Sequence, residues 1–450
     1  MDGTSRAYDV VVLGAGPAGE NLAERTRAAG LTTVIVENEL LGGECSFWAC
    51  EPSKALLRPV VARADARRVP GLRRAVEGPL DVPAVFAYRD KMSAYWQDDD
   101  QVDWLDSVSV DLVRGYGRLD GPRQVVVDLA DGGSVRLTAR HAVGVSTGTV
   151  TAFPDLPGLE RVRPWTNRDA TAARHVPDRL VVVGGGVVAV EMATAFQALG
   201  SQVTLLVRGD KGLLNRMEPF AGEMVADALR AAGADLRFGT SVTAVAREDG
   251  ADGPVHVTLD DGSSLVGDEI LFATGRAPHT TDIGLETVGL SPGDWLTVDD
   301  SYRVTDIADG WLYAVGDVNH RALMTHQGKY QARIAGAVIG ARAKGDAARR
   351  RPLGQARLDR RQRRCAAGGL LRAGGDQCRA DHAGSGADGP PGGRRGLRHR
   401  PGRRRGSVCR RLPRQGPCAD RHRSRHGGRC DLRRSWDSGT PVLGDGGDRE

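Results

Sequence analysis

Cysteine is nearly missing from the first 350 residues: of seven in the chain, only Cys45 and Cys50 lie there. A disulfide framework is therefore excluded for that part. A single close pair points to redox chemistry or metal binding more than to a structural staple. No apolar run approaches the length of a membrane span, and no basic-then-apolar segment opens the chain before the first strand pattern. A cytoplasmic protein without a membrane partner is expected. Lysine is absent from residues 351–450, as are Ile, Phe, Tyr and Met. Those hundred residues hold 25 Arg against nine Asp and one Glu, a net +15, so the preceding 350 carry −10 of the chain's overall +5. The basic balance is thus the average of two unlike pieces. At 450 residues the chain is long enough for several domains and a large core.

What the first part does contain is a repeated pattern. Residues 8–13, Tyr-Asp-Val-Val-Val-Leu, read as a buried strand. Gly14-Ala-Gly16-Pro-Ala-Gly19 follows, then a helical stretch to Ala29, Gly30, and a second strand ending at Glu37. This is a βαβ unit with G-x-G-x-x-G at its first turn. Its first two glycines allow a tight turn and close approach of a pyrophosphate, and the third lets helix and strand pack closely. The phosphates would sit at the helix N-terminus, and Glu37 could accept hydrogen bonds from a ribose. About 170 residues later Leu180-Val-Val-Val183 leads into Gly184-Gly-Gly186-Val-Val-Ala189, a helical stretch, Gly200 and the strand Val203–Val207. Here the second strand ends in Arg208, with Lys211 nearby. An acid there would repel a 2′-phosphate, whereas Arg can pair with it. NADP is favoured over NAD, with a solvated surface Arg as the alternative. Two such units imply two dinucleotides and an α/β fold with two Rossmann-like domains.

Between the first unit and a helical stretch at 53–68 lies Gly42-Gly-Glu-Cys45-Ser-Phe-Trp-Ala-Cys50-Glu-Pro52-Ser53-Lys54. Positions five apart in a regular helix differ by roughly 140° around the axis, so a disulfide would need a distorted turn. Two inert thiols or half of a zinc site stay open as alternatives, although no further Cys or His ligands lie close in sequence.

These motifs occur in a fixed order: Gly14-x-Gly16-x-x-Gly19, Cys45-x4-Cys50 with Pro52-Ser53-Lys54, Ser146-Thr147-Gly148, the second fingerprint with Glu191, Ala273-Thr274-Gly275-Arg276, and Gly316-Asp317. Over residues 6–345 the chain resembles the flavoprotein disulfide reductases, the group of dihydrolipoamide dehydrogenase, glutathione reductase and mercuric reductase. The resemblance implies FAD and NADP (or NAD) as cofactors and no resident metal. It implies that Gly14, Gly16, Gly19 and Glu37 hold the ADP half of FAD, and that Gly115, Thr147 and Gly148 line its adenine and ribose side. Asp317 would hold the ribityl chain. Cys45 would be the interchange thiol and Cys50 the thiolate facing the flavin, with Lys54 and Glu191 paired beside the ring. Gly184, Gly186, Ala189, Arg208 and Gly275 would shape the nicotinamide nucleotide site. The implied layout is an FAD domain over 1–150 with the cysteine pair, a nucleotide domain over 151–270, and a return to the FAD domain over 271–345. In place of the small or polar pair common between the cysteines stand Phe47 and Trp48, which bear on the choice of acceptor. The acceptor would be a small-molecule disulfide, dithiol, quinone or Hg(II). A flavoprotein passing electrons to quinones or dyes without disulfide exchange is the competing function.

The family would continue past residue 345 with an α/β dimerisation domain that completes the partner's site with a His-Glu pair. Nothing in 346–450 matches it. A stretch with eight Leu, two Val and one Trp among 27 Arg cannot bury enough apolar surface to offset chain entropy. One reading is a basic tail that binds nucleic acid or an acidic partner. The other, adopted here, is a shifted reading frame, since Arg, Gly, Ala and Pro are what GC-rich codons encode out of frame. On that reading no nucleic-acid partner is implied, and the family homodimer is doubtful for the chain as written. Resequencing codons 344–352 should reveal a one-nucleotide offset, whose correction restores dimerisation. An intact frame there would leave the basic tail as the correct reading.

Overall fold

The computed structural model describes residues 4–248 and 253–345. The expectations for residues 346–450 lie outside the described residues. In chain order the strands are β1 (Thr4–Leu13), β2 (Thr33–Glu37), β3 (Asp111–Arg114), β4 (Tyr116–Leu119), β5 (Gln124–Asp128), β6 (Ser134–Val145), β7 (Thr149–Thr151), β8 (Arg179–Val183), β9 (Gln202–Val207), β10 (Asp235–Phe238), β11 (Val242–Arg247), β12 (Val255–Leu259), β13 (Ser264–Gly267), β14 (Glu269–Phe272), β15 (Arg276–Pro278) and β16 (Leu312–Ala314). The helices are α1 (Pro17–Ala28), α2 (Gly43–Phe47), α3 (Cys50–Arg68), α4 (Val82–Met92), α5 (Asp99–Ser107), α6 (Leu159–Val162), α7 (Asn167–Ala172), α8 (Val187–Leu199), α9 (Pro219–Ala231) and α10 (Thr325–Ala343).

The apolar runs dictate two sheets. Val10, Val11 and Val12 of β1 are wholly buried, as expected of a parallel strand covered on both faces. β1 pairs in parallel with β2 and with β6, and the first sheet runs β3-β2-β1-β6-β5-β4. β6 is long enough to serve twice. Its first half pairs with β5, antiparallel, and Val143–Val145 pair with β16. In the second sheet β10-β9-β8-β14 are all parallel, with α8 and α9 as crossovers. An antiparallel sheet, β11-β12-β13, precedes β14. The antiparallel pair β7 and β15 carries the chain out of the first sheet and back. The second sheet keeps Glu269–Phe272, because Ile270 and Leu271 pair with Val181 and Val182 of β8.

Against the first sheet α1 and α10 pack side by side through small residues. A Cβ on Gly328 would lie 3.3 Å from that of Ala18, one on Gly336 2.7 Å from that of Arg25, and one on Gly340 2.6 Å from that of Ala29. The order of these contacts makes the two helices parallel, with both N-termini at the same end. Among the described residues no helix is long and apolar enough to cross a membrane.

A buried ion pair ties the antiparallel sheet to β14. Arg247, 3% exposed, meets Glu269 at 2.6 Å. It also donates to the carbonyls of Val162, Gly253 and Asp268. Removing the carboxylate strands a buried cation, which typically costs about 3–5 kcal/mol. Glu269→Ala should therefore destabilise by that amount in denaturant unfolding. Asp235→Ala breaks the exposed Arg237–Asp235 pair and should cost less than about 1 kcal/mol. Equal effects would refute this account of the packing.

Candidate active site

A cleft of about 1670 Å³ opens at the end of the first sheet toward which α1 and α10 point their N-termini. Eleven of the residues singled out from sequence line it: Gly14, Gly16, Glu37, Cys45, Cys50, Lys54, Gly115, Thr147, Gly148, Glu191 and Asp317.

The nucleotide end is built from backbone. Gly14 has φ +92°, and a Cβ there would sit 2.6 Å from the Ser146 carbonyl oxygen. Ser146 Oγ donates to the carbonyls of Leu13 and Gly14, which locks the turn to the end of β6. Gly19 lies outside the lining, since its ideal Cβ would fall 2.0 Å from the Gly14 carbonyl oxygen. It serves helix–strand contact. Gly16 caps α1 and has nothing within 4 Å of its would-be Cβ. Glu37 closes β2. Its Oε2 accepts from the Ala15 N–H at 2.7 Å and its Oε1 from that of Glu39 at 2.8 Å. Burial pushes its carboxyl up against the pull of those N–H groups. Asp317 follows β16 and is also raised by burial, while Thr149 Oγ1 donates to it at 3.3 Å.

The sulfur end depends on a broken helix. α2 stops at Phe47 and α3 begins at Cys50, with Ala49 at φ −138°, ψ −93°. That kink is the distorted turn the spacing required, and it brings the two thiols close enough for each to shift the other's ionisation. The hydrogen bond from Cys45 pulls Cys50 down to about 6, helped by Thr325 and by the charge of Lys54 and opposed by burial. The same bond and burial push Cys45 up. Thr325 Oγ1, on the first residue of α10, lies 3.5 Å from Cys50 Sγ. Lys54 Nζ meets both oxygens of Glu191, at 2.8 and 2.9 Å. Phe47 and Trp48 do not line the cleft. Phe47 is buried, and Trp48 packs beneath the Arg168 guanidinium, 4.1 Å from its ring centroid. The aromatic pair therefore props the loop and does not crowd the sulfurs.

The second fingerprint gathers less tightly. Gly184 has φ +135° and lies against the Ala273 carbonyl, Gly186 caps α8 with open space beside it, and Ala189 is buried in the core. Gly275 has φ +144°. Arg208 is exposed just past β9. None of these five lines the cleft; Val187, Val188, Glu191, Met192, Arg216 and Met217 border it on that side.

Residues 8–332 match the family described as pyridine nucleotide-disulphide oxidoreductase. The chain belongs to that family. It is 34% identical over 317 residues to a mercuric reductase of Streptomyces lividans, covering 69% of this chain and 65% of that one. It is 34% identical over 345 residues to dihydrolipoyl dehydrogenase 3 of Pseudomonas aeruginosa, covering 73% and 72%. The crystal structure of LpdA from Mycobacterium tuberculosis superposes with a TM-score of 0.63 at 28% identity, over 76% of this chain and 73% of that one. The chain spans 56–65% of the length of the first mercuric reductases it matches.

Members of this oxidoreductase family use FAD and NAD(P)H, and the cleft fits a flavin dinucleotide. Thr147 Oγ1 is buried without a protein partner, and Gly16 leaves room at the helix N-terminus where a pyrophosphate is favoured. Sequence patterns missed the residues that fix the sulfur end from behind. Glu44 accepts from Arg168, Asn167 and Arg276 at 2.6, 2.9 and 3.1 Å. Arg276 also donates to Asn167 and to the hydroxyl and carbonyl of Thr149. Only Arg276 carried a signal, as the last residue of the Ala273-Thr-Gly-Arg276 motif.

The two glycines separate binding from folding. Gly16→Ala should weaken FAD binding and leave the thermal midpoint of the flavin-free protein unchanged. Gly19→Ala should destabilise by about 1–3 kcal/mol, as overpacking does. Titration with FAD and thermal melts of both variants check this, and the reverse pattern would overturn it.

Proposed function

We propose that the chain is an FAD-dependent NAD(P)H:disulfide oxidoreductase acting through Cys45 and Cys50. The observation that carries the reading is the placement of both free thiols, Cys45 and Cys50, in the cleft that also holds the glycine cradle and the Lys54–Glu191 pair. FAD, when bound, supplies hydride uptake from the nicotinamide and delivery of the electron pair. The chain's part begins with the Cys45–Cys50 disulfide. Two electrons break the S–S bond, Cys45 takes one proton, and Cys50 stays a thiolate beside Thr325 and Lys54. Once Cys45 gives up its proton, its sulfur attacks an acceptor disulfide and releases one thiol. Cys50 then attacks the Cys45 sulfur, re-forms the internal disulfide and releases the second sulfur as a thiolate, which takes its proton from water, as the first takes the one that Cys45 gave up. Cys45 holds its proton tightly here, so this attack needs a base. By resemblance that base is the partner's His-Glu pair, and without it dye or quinone reduction should outpace disulfide turnover.

Low-molecular-weight or lipoamide-like disulfides suit the open cleft. Hg(II), a soft ion bound by paired thiolates, is a second substrate, favoured by the similarity to mercuric reductases. Arg208 and Lys211, exposed after β9, favour the 2′-phosphate of NADP.

Anaerobic reduction of the FAD-loaded protein tests the reading. NADPH should act better than NADH and produce a long-wavelength band from the Cys50 thiolate against the flavin. Cys50→Ser should abolish the band and keep FAD. On the flavin-free reduced protein, thiolate absorbance should rise with pH through about 6, because the folded pKa of Cys50 is depressed. Below that pH the thiolate is protonated and its contribution is lost. A band that survives in Cys50→Ser would overturn the assignment of the two sulfurs.

A further inference from the structure

The kink between the cysteines is held by its own carbonyls, and both lines of support lead to one residue. The Phe47 carbonyl accepts from Trp96 Nε1 at 3.2 Å. The Trp48 carbonyl accepts from Asn167 Nδ2 at 3.0 Å, with the Thr171 hydroxyl also at 3.0 Å. Asn167 and Thr171 belong to α7, a helix of only six residues, too short to hold itself in place. Its last turn is caught by Arg89 of α4. Arg89 Nη1 donates to the carbonyls of Thr171 and Ala173 at 3.1 and 2.6 Å. The same guanidinium lies 5.3 Å from the Trp96 ring centroid and 4.6 Å from that of Phe86.

Arg89 is wholly buried, a rare state for arginine, and its charge is met by Asp90 at 2.7 Å. The turn that presents Trp96 is unusual as well. Ala94, Tyr95 and Trp96 have φ +47°, +54° and +56°, a left-handed run that L-residues avoid. Such strain persists only where its surroundings over-determine it. Here it puts the indole N–H on Phe47 and the ring beside Arg89.

We infer that Arg89 is a positioning residue for the redox pair: through α7 and Trp96 it sets the break at Trp48–Ala49 that holds Cys45 and Cys50 in contact. The inference rests on the redox reading above and deepens it. A guanidinium suits the position, since its planar fork reaches two carbonyls and a carboxylate while its face packs against aromatic rings. An ammonium keeps the charge and loses the fork and the stacking. Fixed proximity raises the effective concentration of one thiol at the other. Loosening the kink should lower the equilibrium constant for forming the Cys45–Cys50 disulfide and raise the pH at which Cys50 ionises.

The experiment is redox equilibration of the full chain in glutathione buffers, with thiol trapping, beside the thiolate titration. Arg89→Met should lower the disulfide formation constant about tenfold, equivalent to about 30 mV for this two-electron couple. Arg89→Lys should lie between. Trp96→Phe keeps the ring and removes the bond to Phe47, and it should move the constant in the same direction. It carries the test, with Arg89→Lys, if Arg89→Met does not fold. In combination with Arg89→Lys its effect should be less than additive. Arg247→Lys, at the ion pair with Glu269, is the control: it should lower stability and leave the redox constant unchanged. Folded Arg89→Lys and Trp96→Phe proteins with the unsubstituted constant would overturn the inference alone, as would an equal shift in Arg247→Lys. Failure of the unsubstituted protein to form a reversible Cys45–Cys50 disulfide would overturn the redox reading, and the inference with it.

Discussion

Two sulfurs five residues apart cannot meet on a regular helix, and the centre of this molecule depends on the break that lets them. The interruption at Trp48–Ala49 turns one continuous helix into α2 and α3. Once it exists, each sulfur shifts the other's ionisation, Cys50 downward and Cys45 upward, and the charge of Lys54 favours the Cys50 thiolate further. Without the break, the same residues would be two ordinary cysteines pointing to different sides.

Holding a break in a helix has a physical cost, since the carbonyls it frees need donors. Those donors come from far along the chain. Trp96 lies in the left-handed turn after α4, and Asn167 and Thr171 stand at the edge of the second sheet. The kink is thereby fastened to both halves of the described fold. Glu44 adds a second fastening, drawing Arg168, Asn167 and Arg276 onto the first turn of α2. Trp48, which by size alone seemed able to obstruct an acceptor, is clasped under Arg168 instead.

Much of this was legible in the residues, and the limits of legibility have a pattern. Both glycine fingerprints, Glu37 and the cysteine pair announce themselves because each is local: strand, turn and helix within some thirty residues. The Lys54–Glu191 contact spans 137 residues and was accessible only through family resemblance. The Glu44–Arg276 network spans 232, and no local periodicity records which charged side chains will meet across such a distance. Arg89 was invisible for another reason: at 0% exposure it runs against the usual place of arginine, and nothing adjacent in sequence marks it. The second fingerprint was readable as structure, yet Gly184, Gly186 and Ala189 stand beyond the sulfur-bearing cleft, which only Val187 and Val188 of the motif border. A motif specifies a turn, not the separation between two sites.

The close parallel packing of α1 and α10 has an electrostatic consequence. Peptide dipoles in a helix sum to roughly half a unit of positive charge at the N-terminus. Parallel helices side by side repel through these dipoles, yet Gly328, Gly336 and Gly340 let this pair pack so closely that little room is left for a Cβ between them. The two positive ends are therefore superimposed at one end of the sheet, with Gly16 at one and Thr325, touching the Cys50 sulfur, at the other. An anion there relieves a repulsion that the packing itself creates. A diphosphate on α1 and a thiolate beside α10 would share one field, so neutralising either end would weaken the pull on the other. The nucleotide cradle and the sulfur are in this sense a single electrostatic object, assembled from two helices more than 300 residues apart in the chain.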